Sequence, residues 1–166
     1  MKRFLFALFL CLLMLPSLAS ASMMMTSPDI REGDYMHHKF TCQGVNVSPA
    51  LEFVNVPENT KSLALIVHDP DAPSGDWVHW VVYDIPPDNY KFSQGWAYGV
   101  EGINDFGNVS WGGPCPPSGT HHYIFAGYAL DVVLELKKGA SRKELEAAMQ
   151  GHILDKGELM GLYEKF

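Results

Sequence analysis

Positive charge is scarce in this sequence. Twelve lysines and arginines stand against 19 aspartates and glutamates, for a formal net charge of −7. No basic stripe or tail gathers the few cations, which argues against a nucleic-acid partner and against electrostatic docking on anionic lipid. Cysteine is sparse too, with three in 166 residues. A helix-borne His-Glu-x-x-His and a clean Cys/His zinc spacing are both missing. No serine, cysteine or threonine sits in a nucleophile motif. The seven histidines include two adjacent pairs, His37-His38 and His121-His122, whose members face opposite ways on a strand. Neither a metal nor any other cofactor is therefore expected. Repeats, low-complexity tracts and linkers are also lacking, so residues 22–166 read as one domain.

A long hydrophobic run occurs once, at the start. Lys2 and Arg3 precede an apolar stretch from Phe4 to Leu15, Pro16 breaks it, and Ala19-Ser20-Ala21 follows with small residues. This is the pattern of a cleavable signal peptide, and cleavage is expected after Ala21. The run is about a dozen residues, whereas a spanning helix needs about 20, so no stable membrane insertion is expected after cleavage. The destination is then periplasmic or secreted. Cys11 leaves with the signal, and Cys42 and Cys115 remain. An oxidising compartment lets two such cysteines pair, worth at most about 4 kcal/mol for a long loop. Two separate buried thiols are the alternative.

The body of the chain is rich in strand signals. Ser62 to His68 is a short apolar run ending at Asp69-Pro70, as expected of a strand buried on both faces. Trp77 to Asp84 is aromatic and β-branched, and His121 to Leu130 is a third strand. Turn residues fill the intervals. Near the C-terminal end, Ser141-Arg-Lys-Glu144 is a capping-box sequence followed by Leu145, Ala148 and Met149 at helical spacing. Ile153, Leu154, Leu159 and Leu162 suggest a second helix. The expected fold is mainly β, a sandwich with peripheral C-terminal helices.

Titratable residues stand where three of these patterns end. Asp69-Pro70-Asp71-Ala72-Pro73 makes a rigid turn presenting Asp69. In Trp77-Val78-His79-Trp80, strict alternation puts Trp77, His79, Val81 and Tyr83 on one face. Gly112-Gly-Pro-Cys-Pro-Pro-Ser-Gly119 is a stiff loop able to approach a ligand closely. After it, His121 and Tyr123 share a face that His122 does not. Each piece has an ordinary structural explanation: a turn, a core imidazole, a surface loop.

Together the three segments, with Phe40 to Leu51 and Leu145 to Tyr163, resemble the phosphatidylethanolamine-binding (Raf kinase inhibitor-like) family in its bacterial and archaeal branch. The resemblance implies a Greek-key β-sandwich of antiparallel sheets with one small anion pocket. Carried over by position, the pocket uses Asp69, His79, Pro117, His121 and Tyr123, with the backbone from Gly113 to Pro116 as its rim. It also implies that Cys42 and Cys115 lie close, in pocket-side loops. The family commonly has arginine after the pocket histidine, and here His122 takes that place. Pro73 or Pro117, ending rigid loops beside the pocket, is expected to be cis.

The function expected is therefore an exported binding protein for a phosphate- or carboxylate-bearing ligand, such as a phospholipid headgroup or a phosphorylated group. Two imidazoles, a phenol and loop amides supply the donors, while Asp69 orients a histidine ring. Modulation of a protein partner fits this reading. One alternative is an inhibitor of a protease or signalling protein acting through surface loops. A second is a hydrolase or lyase using His79, His121 and Asp69. Monomer and homodimer both remain open.

Overall fold

The computed structural model describes residues 21–166. The basic start, the apolar run from Phe4 to Leu15 and Cys11 lie outside the described residues.

Two antiparallel sheets face each other. The smaller has the order β1-β2-β5, from strands Met24–Thr26, Leu51–Val54 and Lys91–Phe92. The larger has the order β6-β4-β3-β7-β8, with β3 at Ser62–Asp69, β4 at Trp77–Ile85, β6 at Val100–Glu101, β7 at Thr120–Leu130 and β8 at Ile153–Glu164. β7 returns over a long connection to pair with β3, the first strand of the β3-β4-β6 series, which is the Greek-key return. Between the sheets, Leu51, Phe53, Leu65, Val67, Trp80 and Phe125 form the main core.

The uninterrupted apolar run of β3 has a direct cause. Leu63, Leu65 and Val67 point to the inter-sheet core, while Ala64 and Ile66 face a second cluster with Leu145 and Met149. Those last two come from α1, Arg142–Met149. Its capping box is complete: Ser141 Oγ accepts from Glu144 N, and the Glu144 carboxylate accepts from Ser141 N at 2.8 Å.

The second C-terminal helix is not formed. Residues 153–164 are β8, paired with β7 along nearly its full length. The buried positions are Gly157, Leu159, Gly161 and Tyr163, a period of two rather than of 3.6. Two glycines in this stretch also penalise a helix, at roughly 1 kcal/mol each. Here the glycines admit close neighbours: a Cβ on Gly157 would meet Met24 Cα at 2.6 Å.

Strict alternation in β4 is a second correction. Val67 pairs with Trp80 but His68 pairs with Val78, so His79 is the extra residue of a β-bulge. Past the bulge, Val81 and Tyr83 pack in the α1-side cluster, and Trp80 and Val82 enter the inter-sheet core. Among the described residues there is no cis peptide bond, so neither Pro73 nor Pro117 is cis. Nor is any helix there long and apolar enough to cross a membrane.

Candidate functional site

The site forms where the C-terminal end of β3 meets the start of β4 and of β7. Asp69 closes β3 and is buried, with 3% of its surface exposed. Its Oδ1 accepts from Asp71 N at 2.9 Å, which locks the Asp-Pro-Asp turn from within. Its Oδ2 accepts from His121 Nδ1 at 2.7 Å. Both carboxylate oxygens thus have fixed tasks, one on the turn and one on the ring.

His79 is held differently. The bulge frees its main chain from β3, and its carbonyl accepts from Gly112 N at 3.0 Å. Its Nδ1 lies 2.5 Å from the carbonyl of Gly112. A carbonyl only accepts, so His79 carries its proton on Nδ1, and the Asp69 carboxylate fixes the same tautomer on His121. Each ring keeps Nε2 without a hydrogen-bond partner among the described residues. Burial holds the His79 pKa below its ordinary value, against the opposing pull of the Gly112 carbonyl and of Asp69.

Asp69, His79, His121, Pro116 and Pro117 surround one cavity of about 190 Å³. Ala72, Pro73, Trp77 and Phe106 make the rest of its wall largely apolar, and Cys115 and Ser74 complete it. Among the described residues, no lysine or arginine lines it. Tyr123 packs edge-on against the His79 ring, centroids 5.2 Å apart, but is not on the cavity wall. Its hydroxyl is buried without a hydrogen-bond partner among the described residues, and burial, followed by the charge of Asp69, pushes its pKa far up.

Gly113 also stands off the wall. Its amide donates to Asn46 Oδ1 at 2.9 Å, and a Cβ there would meet that oxygen at 2.2 Å. Pro114, Pro116 and Pro117 have no amide hydrogen to offer. The rim therefore contributes shape rather than the several loop donors expected of it. Cys42 and Cys115 are disulfide-bonded, with Cα atoms 5.4 Å apart, and Cys42 N donates to the Pro114 carbonyl at 3.1 Å. His122 is exposed on the other face, where its ring and its amide both bond Asp71 Oδ2, at 2.7 and 2.8 Å.

The sequence profile described as phosphatidylethanolamine-binding protein matches residues 26–164. This chain belongs to that family. Relatives include a UPF0098 protein of Pyrococcus horikoshii, 46% identical over 143 residues, covering 80% of this chain and 72% of the relative. Another, from Methanothermobacter thermautotrophicus, is 47% identical over 134 residues, covering 76% and 89%. Two crystal structures share the architecture. A phosphatidylethanolamine-binding protein homologue from Chlamydia trachomatis superposes with a TM-score of 0.84 at 43% identity, over 87% of this chain and 99% of its own. Escherichia coli YbcL, a new member of the mammalian phosphatidylethanolamine-binding protein family, gives 0.81 at 32% identity, over 88% of this chain and 100% of its own.

Within this family member, sequence reasoning missed Phe106 and Asn46. Phe106 lies in an irregular stretch with no periodicity to betray it. Asn104 Oδ1 shapes that stretch by accepting from Phe106 N and Asn108 N, at 3.1 and 3.0 Å. The ring of Phe106 then packs edge-on against both Trp77 and His79, 5.4 Å from each. Asn46 occupies a left-handed turn, φ 60°, a conformation asparagine tolerates better than most residues. Among the described residues, no group of three or more metal-ligating side chains assembles.

Proposed function

We propose that this chain is an exported binding protein that holds a small anion, phosphate- or carboxylate-bearing, between His79 and His121. The observation that carries the reading is the pairing of two imidazoles whose Nδ1 atoms are already committed, to Gly112 and to Asp69, on one cavity. A neutral ring so held offers Nε2 only as an acceptor. Protonation turns it into a charge-assisted donor. Anion binding is then coupled to proton uptake, and the absence of a lysine or arginine on the wall leaves the imidazoles as the source of positive charge.

Export is supported by the signal-like residues 1–21 and by the disulfide, a bond that persists in oxidising compartments. Modulation of a protein partner through a phosphorylated or carboxylate group is consistent with the same site.

The experiment is calorimetric titration with sulfate, which does not itself ionise near neutrality. Affinity is expected to rise as pH falls from about 8 to 6, approaching tenfold per unit if one ring gains a proton. His79→Ala and His121→Ala should each weaken binding by roughly 1.5–3 kcal/mol. Unchanged affinity in both variants, or a flat pH profile, rejects the site.

A second reading draws on the Asp69–His121 bond, which is part of an acid–base device, and on Ser74 at the same cavity. Turnover of a phosphoester or ester panel, lost in His121→Ala, would favour that hydrolase. Capture of a protein partner without turnover would favour an inhibitor.

A further inference from the structure

A second and larger cavity, about 520 Å³, opens where the turns at residues 45–48, 95–97 and 110–111 meet. Three of the chain's four tryptophans line it, Trp80, Trp96 and Trp111, together with one carboxylate, Glu101. Trp80 and Trp111 stand at 83° to each other with centroids 5.7 Å apart, forming an aromatic corner. The corner is braced from the inter-sheet core: Trp111 stacks on Phe125, and Trp80, itself buried, packs edge-on against Phe92. Trp96 is different. It is 60% exposed and forms part of the outer wall.

Some polar groups of this cavity are already committed. Asn46 Oδ1 accepts from Gly113 N, and Ser48 Oγ accepts from Gly95 N at 3.2 Å. Glu101 Oε1 accepts from Trp80 Nε1 at 2.9 Å. That bond turns the carboxylate towards the aromatic corner and leaves its second oxygen without a hydrogen-bond partner among the described residues. None of the ion pairs formed by lysine or arginine among the described residues includes Glu101.

We infer that this cavity binds a small organic cation, a quaternary or methylated ammonium group. Indole rings attract such a cation through their negative faces, and a lone carboxylate neutralises it without demanding the close coordination that a metal ion needs. The net charge of −7 raises the local concentration of cations around the chain. A neutral sugar also stacks on tryptophan, and Asn46 Nδ2 with the hydroxyls of Ser48 and Ser110 can meet it. The carboxylate of Glu101, without a lysine or arginine partner among the described residues, is what selects a cation. The site shares no lining residue with the histidine cavity, so it stands or falls independently of the anion reading.

The test is titration of the folded protein with choline and tetramethylammonium, followed by calorimetry and by indole NMR shifts. Two controls accompany them: 3,3-dimethylbutan-1-ol, the uncharged isostere of choline, and methyl glucoside. Glu101→Gln removes the charge yet keeps an oxygen for Trp80 Nε1, and Trp96→Ala alters an exposed side chain, so both variants should fold. Saturable binding of the two cations is expected, with the isostere far weaker. Each variant should lose roughly 3- to 30-fold in affinity, the scale of a cation–aromatic contact, while His121→Ala binds like the parent. The inference is overturned if neither cation saturates, if the isostere binds as well, or if Glu101→Gln is unaffected. It is equally overturned if methyl glucoside occupies the site instead, or if His121→Ala abolishes cation binding.

Discussion

His79 and Gly112 bond each other twice. Gly112 N donates to the His79 carbonyl at 3.0 Å, and His79 Nδ1 donates to the Gly112 carbonyl at 2.5 Å. The reciprocal pair substitutes for the ladder bonds that the bulge removes from His79, and it fixes ring and backbone at once. A histidine inside a regular strand would have its main chain spent on the neighbouring strand. Here the bulge lets one residue belong both to the sheet and to the proline-rich loop.

The first prediction concerns pH. His79 is held below its ordinary pKa of 6.5 by burial, so the fold favours the neutral ring. Between that value and the lower folded one, the unfolded chain binds more protons, so stability rises with pH. The contribution is fully present above about 6.5 and is lost as pH falls towards the folded pKa. Urea unfolding at successive pH values should show this loss in the parent and a flatter profile in His79→Gln, which keeps a donor for Gly112. Saturating sulfate should reverse the trend, because the bound anion favours the protonated ring. A parent profile no steeper than that of His79→Gln would count against the coupling.

The disulfide supports a second prediction. Cys42 and Cys115 close a loop with a sequence separation of 73, for which chain entropy gives about 4 kcal/mol. Cys115 is also part of the cavity wall. The Cys42→Ser/Cys115→Ser variant should therefore unfold at a lower urea concentration. It should also bind sulfate more weakly at temperatures where it is still folded. Loss of stability with undiminished affinity would limit the bond to a global role, since the Asn46–Gly113 contact would then suffice to hold the loop.

Legibility in the sequence followed the strength of local pattern. Ser62 to His68 was readable because a strand buried on both faces must be apolar throughout, and the capping box at Ser141 because it is a purely local device. The histidine and aspartate positions of the cavity were legible through the family resemblance, not through periodicity. His79 illustrates the limit: a bulge depends on pairing with another strand, so alternation alone misassigned Val81 and Tyr83. The C-terminal stretch failed for a related reason. Ile153, Leu154, Leu159 and Leu162 fit a helical stripe, yet Gly157 and Gly161 are explained only by what approaches them from other segments. Phe106 gave no signal at all, being placed by Asn104 in an aperiodic turn.

That account of the C-terminal strand is testable. A Cβ on Gly157 would lie 2.6 Å from Met24 Cα and 2.8 Å from the Met23 carbonyl, both backbone atoms that cannot easily yield. On Gly161 the nearest atoms, at 2.7 and 2.9 Å, belong to the flexible side chain of Met36. Gly157→Ala should thus destabilise by roughly 1–3 kcal/mol, the usual cost of overpacking, and Gly161→Ala by less. In a helix both substitutions would stabilise. Thermal unfolding of the two variants separates the cases.

The last prediction tests whether Phe106 forms the cavity wall because Gly112 permits it. A Cβ on Gly112 would meet Phe106 Cδ2 at 2.5 Å and Cε2 at 2.7 Å, with Asn104 Nδ2 at 3.2 Å. The ring has room to retreat, since Phe106 is 44% exposed. Gly112→Ala should therefore fold, at a cost of about 1–3 kcal/mol, with Phe106 displaced outward from Trp77 and His79. An opened wall lets water reach the imidazoles, so the His79 pKa should move back towards its ordinary value. Sulfate affinity at neutral pH should change with it. Phe106→Ala alone should open the same wall without the steric clash. The double variant Gly112→Ala/Phe106→Ala should then be less destabilised than the sum of the two single changes, because the clash has lost its partner. NMR titration of the His79 ring together with urea unfolding reads both quantities. Additive destabilisation, or an unmoved His79 titration in Phe106→Ala, would show that the ring merely rests on the surface.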